Sequence, residues 1–153
     1  MDCVFCKIIA NEIPSVKVYE DDHILAFLDI NPIEKGHVLL IPQKHWESLA
    51  AVPVADSADV AVLEELTYMS HVVSKAVTRT FANGANLLQA TGKCAGQTVF
   101  HLHFHVIPRY DNGSTPPSFE SGHGAYSSNE ERDAYAEKLR KEISKVLSEE
   151  AII

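Results

Sequence analysis

The chain has 153 residues, of which 46% are hydrophobic, and a formal net charge of −8 with histidine neutral. Length and composition predict one globular domain. The acidic balance argues against general binding to nucleic acid or to an anionic membrane, which needs a basic surface, but not against a small nucleotide in a locally positive pocket. No apolar run has the length of a membrane span, no signal segment is visible, and three cysteines make a poor disulfide framework. We therefore expect a cytoplasmic protein.

The first half of the chain predicts three strands followed by a long helix. Residues 16–20 and 24–29 are predicted to form two strands joined by a polar turn at 21–23, and residues 37–41 a third strand that ends at Pro42. Asp56 or Ser57 is expected to cap a helix that runs to about Thr80. Its apolar stripe has a spacing of three to four residues and comprises Val62, Leu66, Met69, Val73 and Val77.

The second half predicts two more strands and a last helix. A fourth strand covers residues 86–91, and a glycine turn at 92–96 leads into a fifth strand. Residues 111–128 are rich in Gly, Ser, Pro and Asn and read as a long loop, after which Ser128 or Asn129 caps the last helix. The prediction is an α+β domain, a five-stranded antiparallel sheet with its helices on one face. The buried stripe of the last helix is Ala136, Leu139, Ile143 and Val146.

Three alternating histidines, His101, His103 and His105, are the most informative feature of the sequence. Their neighbours are β-branched, aromatic or aliphatic, which predicts a strand with all three imidazoles on one face. The outer two are about 13 Å apart along such a strand, too far for one shared metal ion. Neutral imidazole is a good nucleophile toward phosphorus, and the row suits a substrate that lies along the strand. The opposite face is predicted to be apolar and to carry Phe100, Leu102, Phe104 and Val106.

The residues just before the histidines are candidates for phosphate contact. Gly96 permits close backbone approach, and its N–H group, together with Gln97 and Thr98, is placed to hydrogen-bond phosphate oxygens. The alternative is an ordinary glycine turn before a strand. The position directly beside three histidines favours the phosphate interpretation.

Cys3 and Cys6 form a C-x-x-C motif at the start of the chain. The motif is moderate evidence for zinc, which needs two further ligands. A redox role would need a preceding strand, and only two residues precede Cys3. Two unligated thiols remain the alternative.

Residues 95–109, AGQTVFHLHFHVIPR, resemble the signature of the histidine triad (HIT) nucleotide hydrolases and transferases, and the bacterial-type Hit proteins in particular. The similarity extends over roughly residues 3–109 and implies a HIT-like fold. Residues 1–110 would then form the HIT core with the active site, and residues 111–153 the loop and C-terminal helix of the same domain. The N-terminal part of the pattern comprises CVFCKII at 3–9, YEDD at 19–22, AFLDINP at 26–32 and KGHVLLIP at 35–42.

The resemblance implies a role for each matching residue. His103 would be the nucleophile that takes the nucleotidyl group, His105 and His37 would contact or orient the phosphate, and Asp29 would accept both ribose hydroxyls. Phe5, Ile8, Phe27 and Ile30 would line the base pocket, with plain core packing as the open alternative for Ile8 and Phe27. Zinc-containing family members pair the cysteine motif with two histidines, which implies a structural zinc bound by Cys3, Cys6, His45 and His101.

The function implied is hydrolysis that releases a purine nucleoside 5′-monophosphate from a phosphoramidate or a dinucleoside polyphosphate, through a covalent intermediate on His103. No cofactor is expected for the chemical step. Two alternatives remain: nucleotidyl transfer to phosphate or a sugar phosphate, and a nucleotide-binding interaction module with incidental activity. The family also implies a homodimer. One departure stands out, because Ala90 occupies a position where the family usually has Asn or Gln.

Overall fold

The computed structural model describes residues 2–111, 118–122 and 124–150, which form an α+β fold. Five strands build one sheet in the order β1-β2-β3-β5-β4, and every neighbouring pair is antiparallel. The predicted fold class is confirmed. The elements are α1 (Val4–Ile9), β1 (Lys17–Glu20), β2 (Ile24–Leu28), β3 (Val38–Pro42), α2 (Ser57–Thr80), β4 (Gly84–Leu88), β5 (Phe104–Arg109) and α3 (Asn129–Glu150).

One face of the sheet packs against the two long helices. The Asp56 carboxylate caps α2 by accepting the backbone N–H groups of Ala58 and Asp59, as the sequence predicts. Ser128 caps α3, since its hydroxyl accepts the N–H of Glu131. Both predicted apolar stripes lie in the main core, although Val62 is only partly buried. This layer supports the sheet and leaves its other face for the site.

The opposite face is covered by α1, which the sequence did not predict. The Sγ atom of Cys3 accepts the N–H of Cys6 and caps this six-residue helix. The helix lays Phe5 and Ile8 on the sheet. The two predicted helices, α2 and α3, share one face as expected, and α1 adds a short helix on the other face. The second core cluster comprises Cys3, Phe5, Ile8, Leu25, Phe27, Leu39 and Ile41.

The histidine segment is only partly a strand. β5 begins at Phe104, so His103 precedes the strand and His101 lies in a bend further upstream. The Leu102 N–H donates to the carbonyl of Trp46 at 2.7 Å, outside the β3–β5 ladder. Phe100, predicted to be buried, is 47% exposed, while Leu102, Phe104 and Val106 are buried as expected.

The remaining boundaries differ modestly from the prediction. β4 covers Gly84–Leu88 instead of residues 86–91. Of the predicted 111–128 loop, residues 112–117 and 123 lie outside the described residues. Within the described part of the chain, no helix is both long and apolar enough to cross a membrane.

Candidate active site

Three strands, β2, β3 and β5, bring the predicted catalytic histidines and Asp29 together on the α1 side of the sheet. Asp29 follows β2, His37 precedes β3, and His105 lies on β5 opposite Leu39. His103 lies just before β5, with its ring centroid 4.9 Å from that of His105. Because β3 and β5 are neighbours, residues far apart in the sequence meet at one point.

Hydrogen bonds to His37 determine which of its nitrogens carries the proton. The backbone N–H of Ile33 donates to His37 Nδ1 at 3.0 Å. A neutral imidazole has one donor and one acceptor nitrogen, so the proton of His37 is on Nε2. That atom lies 2.9 Å from Nδ1 of His105, which must accept it. The proton of His105 is therefore on Nε2, available to a ligand.

His103 is held in the tautomer that a nucleophile needs. Its Nδ1–H donates to the carbonyl of His101 at 2.7 Å. The Nε2 atom therefore carries a free lone pair. The Phe5 ring packs nearly perpendicular to the imidazole, with ring centroids 5.3 Å apart, and His103 is only 7% exposed. The ring is fixed, neutral and largely shielded from water.

Burial keeps the histidines of the site neutral. Desolvation lowers the pKa of His37 to about 4, and the positive charge of Arg109 adds to the effect. Desolvation also lowers the pKa of His105 to about 4. The pKa of His103 is lowered for the same reason, with the carboxylate of Asp29 opposing the shift. All three are uncharged at neutral pH, so each retains an imidazole lone pair.

Asp29 and Ile30 lie at the open edge of the site. One carboxylate oxygen of Asp29 accepts the N–H of Asn31 at 2.8 Å, and the other lies 3.7 Å from His37 Nε2. Ile30 is 88% exposed, an apolar side chain that a ligand can cover. Both border a cavity of ≈ 790 Å³ that extends toward the start of α3.

The other three residues of the expected base pocket are packed as core. Phe5, Ile8 and Phe27 are each less than 8% exposed, and the rings of Phe5 and Phe27 meet edge to face at 5.5 Å. The structure thus brings Phe5 beside His103, but it offers only Ile30 of the four as an exposed apolar surface. Ile8 and Phe27 have the core role that the sequence left open.

The predicted phosphate loop is internally bonded. Gly92 and Gly96 have φ of 90° and 94°, which flank a short 3-10 turn at Lys93–Ala95. The N–H of Gly96 donates to the Lys93 carbonyl, and that of Gln97 to the Gly92 carbonyl. The Gln97 amide is buried and bonds Glu47, Gly92 and Val99. These groups shape the loop, and Thr98 is exposed beside it.

Two cysteines and two histidines form a second cluster. The Nδ1 atom of His101 lies 3.5 Å from Sγ of Cys3, 3.7 Å from Sγ of Cys6 and 3.1 Å from Nδ1 of His45. Cys6 Sγ is 3.3 Å from His45 Nδ1. Zn–S of about 2.3 Å and Zn–N of about 2.0 Å place the ligand atoms of a tetrahedral site about 3.3–3.8 Å apart. The side chains therefore fit a zinc ion.

The outer shell of this cluster also suits a metal. The Nε2–H of His101 donates to the carbonyl of Pro42 at 2.8 Å, which leaves Nδ1 deprotonated and directed at the other three ligands.

A second group of potential metal ligands lies in the catalytic site, where side-chain N and O atoms of Asp29, His37 and His105 are within 4.8 Å of one another. There the Ile33 N–H occupies Nδ1 of His37 and leaves a proton on Nε2. That protonation opposes metal binding and suits proton donation.

Two features of the site carry no sequence signal. The Ile33 N–H and the His101 carbonyl are backbone groups, and they set the protonation of His37 and His103. Any residue type supplies them, so only the conformation of the chain reveals them. Arg109 is the last residue of the signature motif, but nothing in the sequence indicates that its charge lowers the pKa of His37.

An antiparallel α+β fold with neutral histidines beside a carboxylate defines the class of histidine triad proteins. The family model described as "HIT domain" matches residues 10–112. The chain therefore belongs to the HIT family.

Curated relatives support the same assignment. An "Uncharacterized HIT-like protein" of Borreliella burgdorferi is 50% identical over 111 residues, covering 72% of this chain and 78% of the relative. "Adenylylsulfatase HINT3" of Arabidopsis thaliana is 44% identical over 108 residues, 71% of this chain and 52% of the relative. "Adenosine 5'-monophosphoramidase HNT1" of Candida albicans is 40% identical over 113 residues, 73% of each chain.

Solved structures show the same fold over nearly the whole chain. A "ZN-bound histidine triad family protein" from Mycobacterium smegmatis superposes with a TM-score of 0.81 and 31% identity. The match covers 97% of both chains, so it includes the part of this chain beyond the HIT domain match.

Proposed function

We propose that this protein is a nucleotide hydrolase that forms a covalent nucleotidyl intermediate on His103. The observation that carries the proposal is the hydrogen bond from His103 Nδ1 to the His101 carbonyl. It leaves the Nε2 lone pair free in a ring that burial keeps neutral. The relatives named as a monophosphoramidase and an adenylylsulfatase support nucleotide hydrolysis.

In the first step, Nε2 of His103 attacks the α-phosphorus of the nucleotide. The P–N bond forms as the bond to the leaving group breaks, and the leaving group takes up a proton from solvent, which the water of the second step returns. The Nε2–H of His105 donates to a phosphate oxygen and stabilises its charge. The positive charge that develops on His103 is stabilised by the bond from Nδ1–H to the carbonyl of His101.

In the second step, water resolves the intermediate. Its hydroxyl joins phosphorus, the P–N bond breaks, and the electron pair returns to Nε2 of His103. The remaining proton of water balances the one that the leaving group took. The products are a nucleoside 5′-monophosphate and the protonated leaving group, and His103 is neutral again.

The base and ribose are proposed to lie toward Asp29 and Ile30. A carboxylate accepts hydrogen bonds from two hydroxyls, and the exposed Ile30 side chain supplies an apolar surface for a purine. Phe5 forms the inner wall through its contact with His103. The exposed Thr98 is proposed to lie beside the phosphate, whereas the N–H groups of Gly96 and Gln97, predicted to contact it, donate within their own loop instead.

Zinc is proposed at Cys3, Cys6, His45 and His101. The ion would supply structural cross-linking, because it would join the N-terminal segment to the segment that bears His103. The His101 carbonyl that orients His103 belongs to one of the ligands. The chain's own contribution is the Pro42 carbonyl, which orients the His101 ring.

A homodimer is also proposed. β4 is an edge strand of the sheet, and it exposes Leu87 by 53% and Leu88 by 37%. An exposed apolar edge strand favours pairing with a second chain. Sedimentation equilibrium of the wild type and of Leu87→Lys tests this, with a monomeric wild type as the contradicting result. A cytoplasmic location stays a prediction.

A turnover panel tests the function. Purified protein is assayed with adenosine 5′-phosphoramidate, adenylyl sulfate, diadenosine polyphosphates and a nucleoside diphosphate sugar, with His103→Ala as the control. Release of AMP by the wild type alone supports the hydrolase. Formation of ADP from adenosine 5′-phosphoramidate in phosphate buffer would instead support nucleotidyl transfer, and binding without turnover of any substrate would support an interaction module.

A further inference from the structure

The chain beyond the HIT domain match folds back onto the loop that orients His37. This segment, residues 118–126 without the undescribed residue 123, is called the return segment here. Arg109 anchors its start, because Nη1 donates to the carbonyl of Ser118 at 2.8 Å. The segment then runs along residues 31–36, the loop between β2 and β3.

The contacts between the return segment and this loop are mainly backbone contacts. The N–H of Gly122 and the N–H of Gly124 donate to the carbonyl of Pro32 at 3.0 and 3.2 Å. The Tyr126 hydroxyl accepts the N–H of Gly36 at 2.8 Å. The loop is thus held at both ends, immediately before and three residues after Ile33.

Gly124 makes the closest approach. A Cβ built on Gly124 would overlap the Cα of Glu34 and lie 2.6 Å from the N of Lys35. Both neighbours are backbone atoms, so no side chain can rotate to make room. Any other residue at this position would have to displace the loop directly beside Ile33.

Ile33 links this contact to the chemistry of the site. Its N–H is the donor that puts the proton of His37 on Nε2, and through His37 it fixes the proton of His105. A shift of the Ile33 N–H by a fraction of an ångström weakens a 3.0 Å bond, because hydrogen bonds lose strength steeply with distance and angle.

We infer that Gly124 and Tyr126 are positioning residues, which hold the Ile33 N–H against His37 and thereby set the tautomers of His37 and His105. The inference deepens the proposed function and rests on it for its catalytic consequence. Neither residue touches the proposed reacting atoms. The return segment is in this sense part of the site, although it lies outside the matched HIT domain.

The test compares Gly124→Ala with Gly84→Ala, a matched control because a Cβ at Gly84 meets nothing within 4 Å. Side-chain ¹⁵N NMR of the ligand-free protein reads the tautomers directly. We expect wild type and Gly84→Ala to show His37 protonated on Nε2 only, and Gly124→Ala to show a mixture. Turnover of the adenosine substrate should fall on the order of 10²-fold in kcat, the cost of misplacing a catalytic group by about 1 Å.

Tyr126→Phe is the second variant, because it removes only the acceptor of the Gly36 N–H and adds no bulk. It should move the His37 ¹⁵N shifts in the same direction, with a smaller loss of kcat. Unchanged His37 tautomers in both folded variants would overturn the inference, even if melting temperatures fell. If Gly124→Ala does not fold, the tautomers of Tyr126→Phe alone decide. A tautomer change in a protein that turns over no nucleotide would leave the positioning role intact and refute the proposed function.

Discussion

The Nε2 atom of His37 lies 2.9 Å from Nδ1 of His105, and the direction of this hydrogen bond is set by a backbone donor on the other side of His37. Ile33 donates to His37, His37 donates to His105, and the last proton faces the site. The protonation of His105 therefore depends on the backbone N–H of Ile33, which is connected to it through two successive hydrogen bonds and the ring of His37. Each bond in the chain is a place where a substitution can change the chemistry without removing a catalytic side chain.

Replacing the nucleophile should abolish covalent catalysis. His103→Ala is expected to reduce kcat by several orders of magnitude while nucleotide affinity changes little, because Asp29 and Ile30 remain. His105→Ala should be milder, since it removes a donor to phosphate but not the nucleophile. Steady-state turnover and equilibrium nucleotide binding measure the two effects.

His71→Ala is the control for these variants, because His71 is an exposed residue on α2. Rapid quench of the wild type should also trap a nucleotidyl adduct on the peptide with residues 101–105. The adduct is acid-labile, so a slowly hydrolysed analogue serves as the positive control. Near wild-type turnover by His103→Ala would refute the covalent mechanism.

Acid should destabilise the protein through His37. Its pKa is about 4 in the folded chain and 6.5 when unperturbed, so between these values the unfolded chain binds the proton and the folded chain does not. The stability contribution of His37 is present at neutral pH and is lost as pH falls. Between pH 7 and pH 5 the loss is about 2 kcal/mol.

Denaturant unfolding of the wild type and of His37→Gln at both pH values measures this contribution. The difference between the two pH slopes isolates His37 from other titrating groups. A wild-type slope equal to that of His37→Gln would show that His37 has an ordinary pKa in the folded protein. The same protonation should switch off turnover in acid, because a charged His37 can no longer accept the Ile33 N–H.

Protein purified without added metal should contain one zinc per chain. Cys6→Ser is expected to lose the ion and to lower the melting temperature, because a structural metal site contributes to the free energy of folding. Cys94→Ser is the matched control, since Cys94 is exposed and outside the cluster. Elemental analysis and thermal unfolding are the measurements. Metal-free wild type, with Cys6→Ser as stable as Cys94→Ser, would contradict the prediction.

Asp29 should discriminate ribose from deoxyribose. Asp29→Asn is expected to raise KM for an adenosine substrate about 10- to 100-fold, the cost of a hydrogen bond to a charged group. The effect on the 2′-deoxy substrate should be smaller, because one of the two hydroxyl contacts is already missing there. Equal losses on both substrates would show that Asp29 acts on something other than the ribose.

Ala90→Asn should restore an amide that the family usually has. The gain of one hydrogen bond is worth on the order of 1 kcal/mol, so we expect a lower KM or a higher kcat on at least one adenosine substrate. The neighbouring Gln89 or Thr91 could have replaced the missing amide, but in the structure they bond each other, and the Gln89 amide also donates to the Ala90 carbonyl. No gain on any substrate would mean that the site does not use an amide at this position.

Strong local patterns made most of the fold predictable from the sequence. The stripes of α2 and α3 keep helical spacing, and both carry polar caps, so periodicity and capping agree. α1 escaped prediction because six residues are too few to show a period, and its cap is a cysteine instead of a typical capping residue. The start of β5 at Phe104 could not be predicted, because polar and apolar residues alternate from His101 onward without a break. Where the strand begins depends on which residues pair with β3, and this is decided by the tertiary structure.

The sequence by itself determined the family, the identity of the histidines and the C-x-x-C motif, because these are matters of residue type and spacing. Only the tertiary structure brought Cys3 and Cys6 to His45 and His101, of which Cys3 and His101 are 98 positions apart in the sequence. It alone decided which imidazole nitrogens carry protons, since the Ile33 N–H and the His101 carbonyl are backbone groups that every residue possesses. The proposed chemistry depends on which nitrogens carry those protons, and the tertiary structure determines this through the backbone groups that it places beside each imidazole.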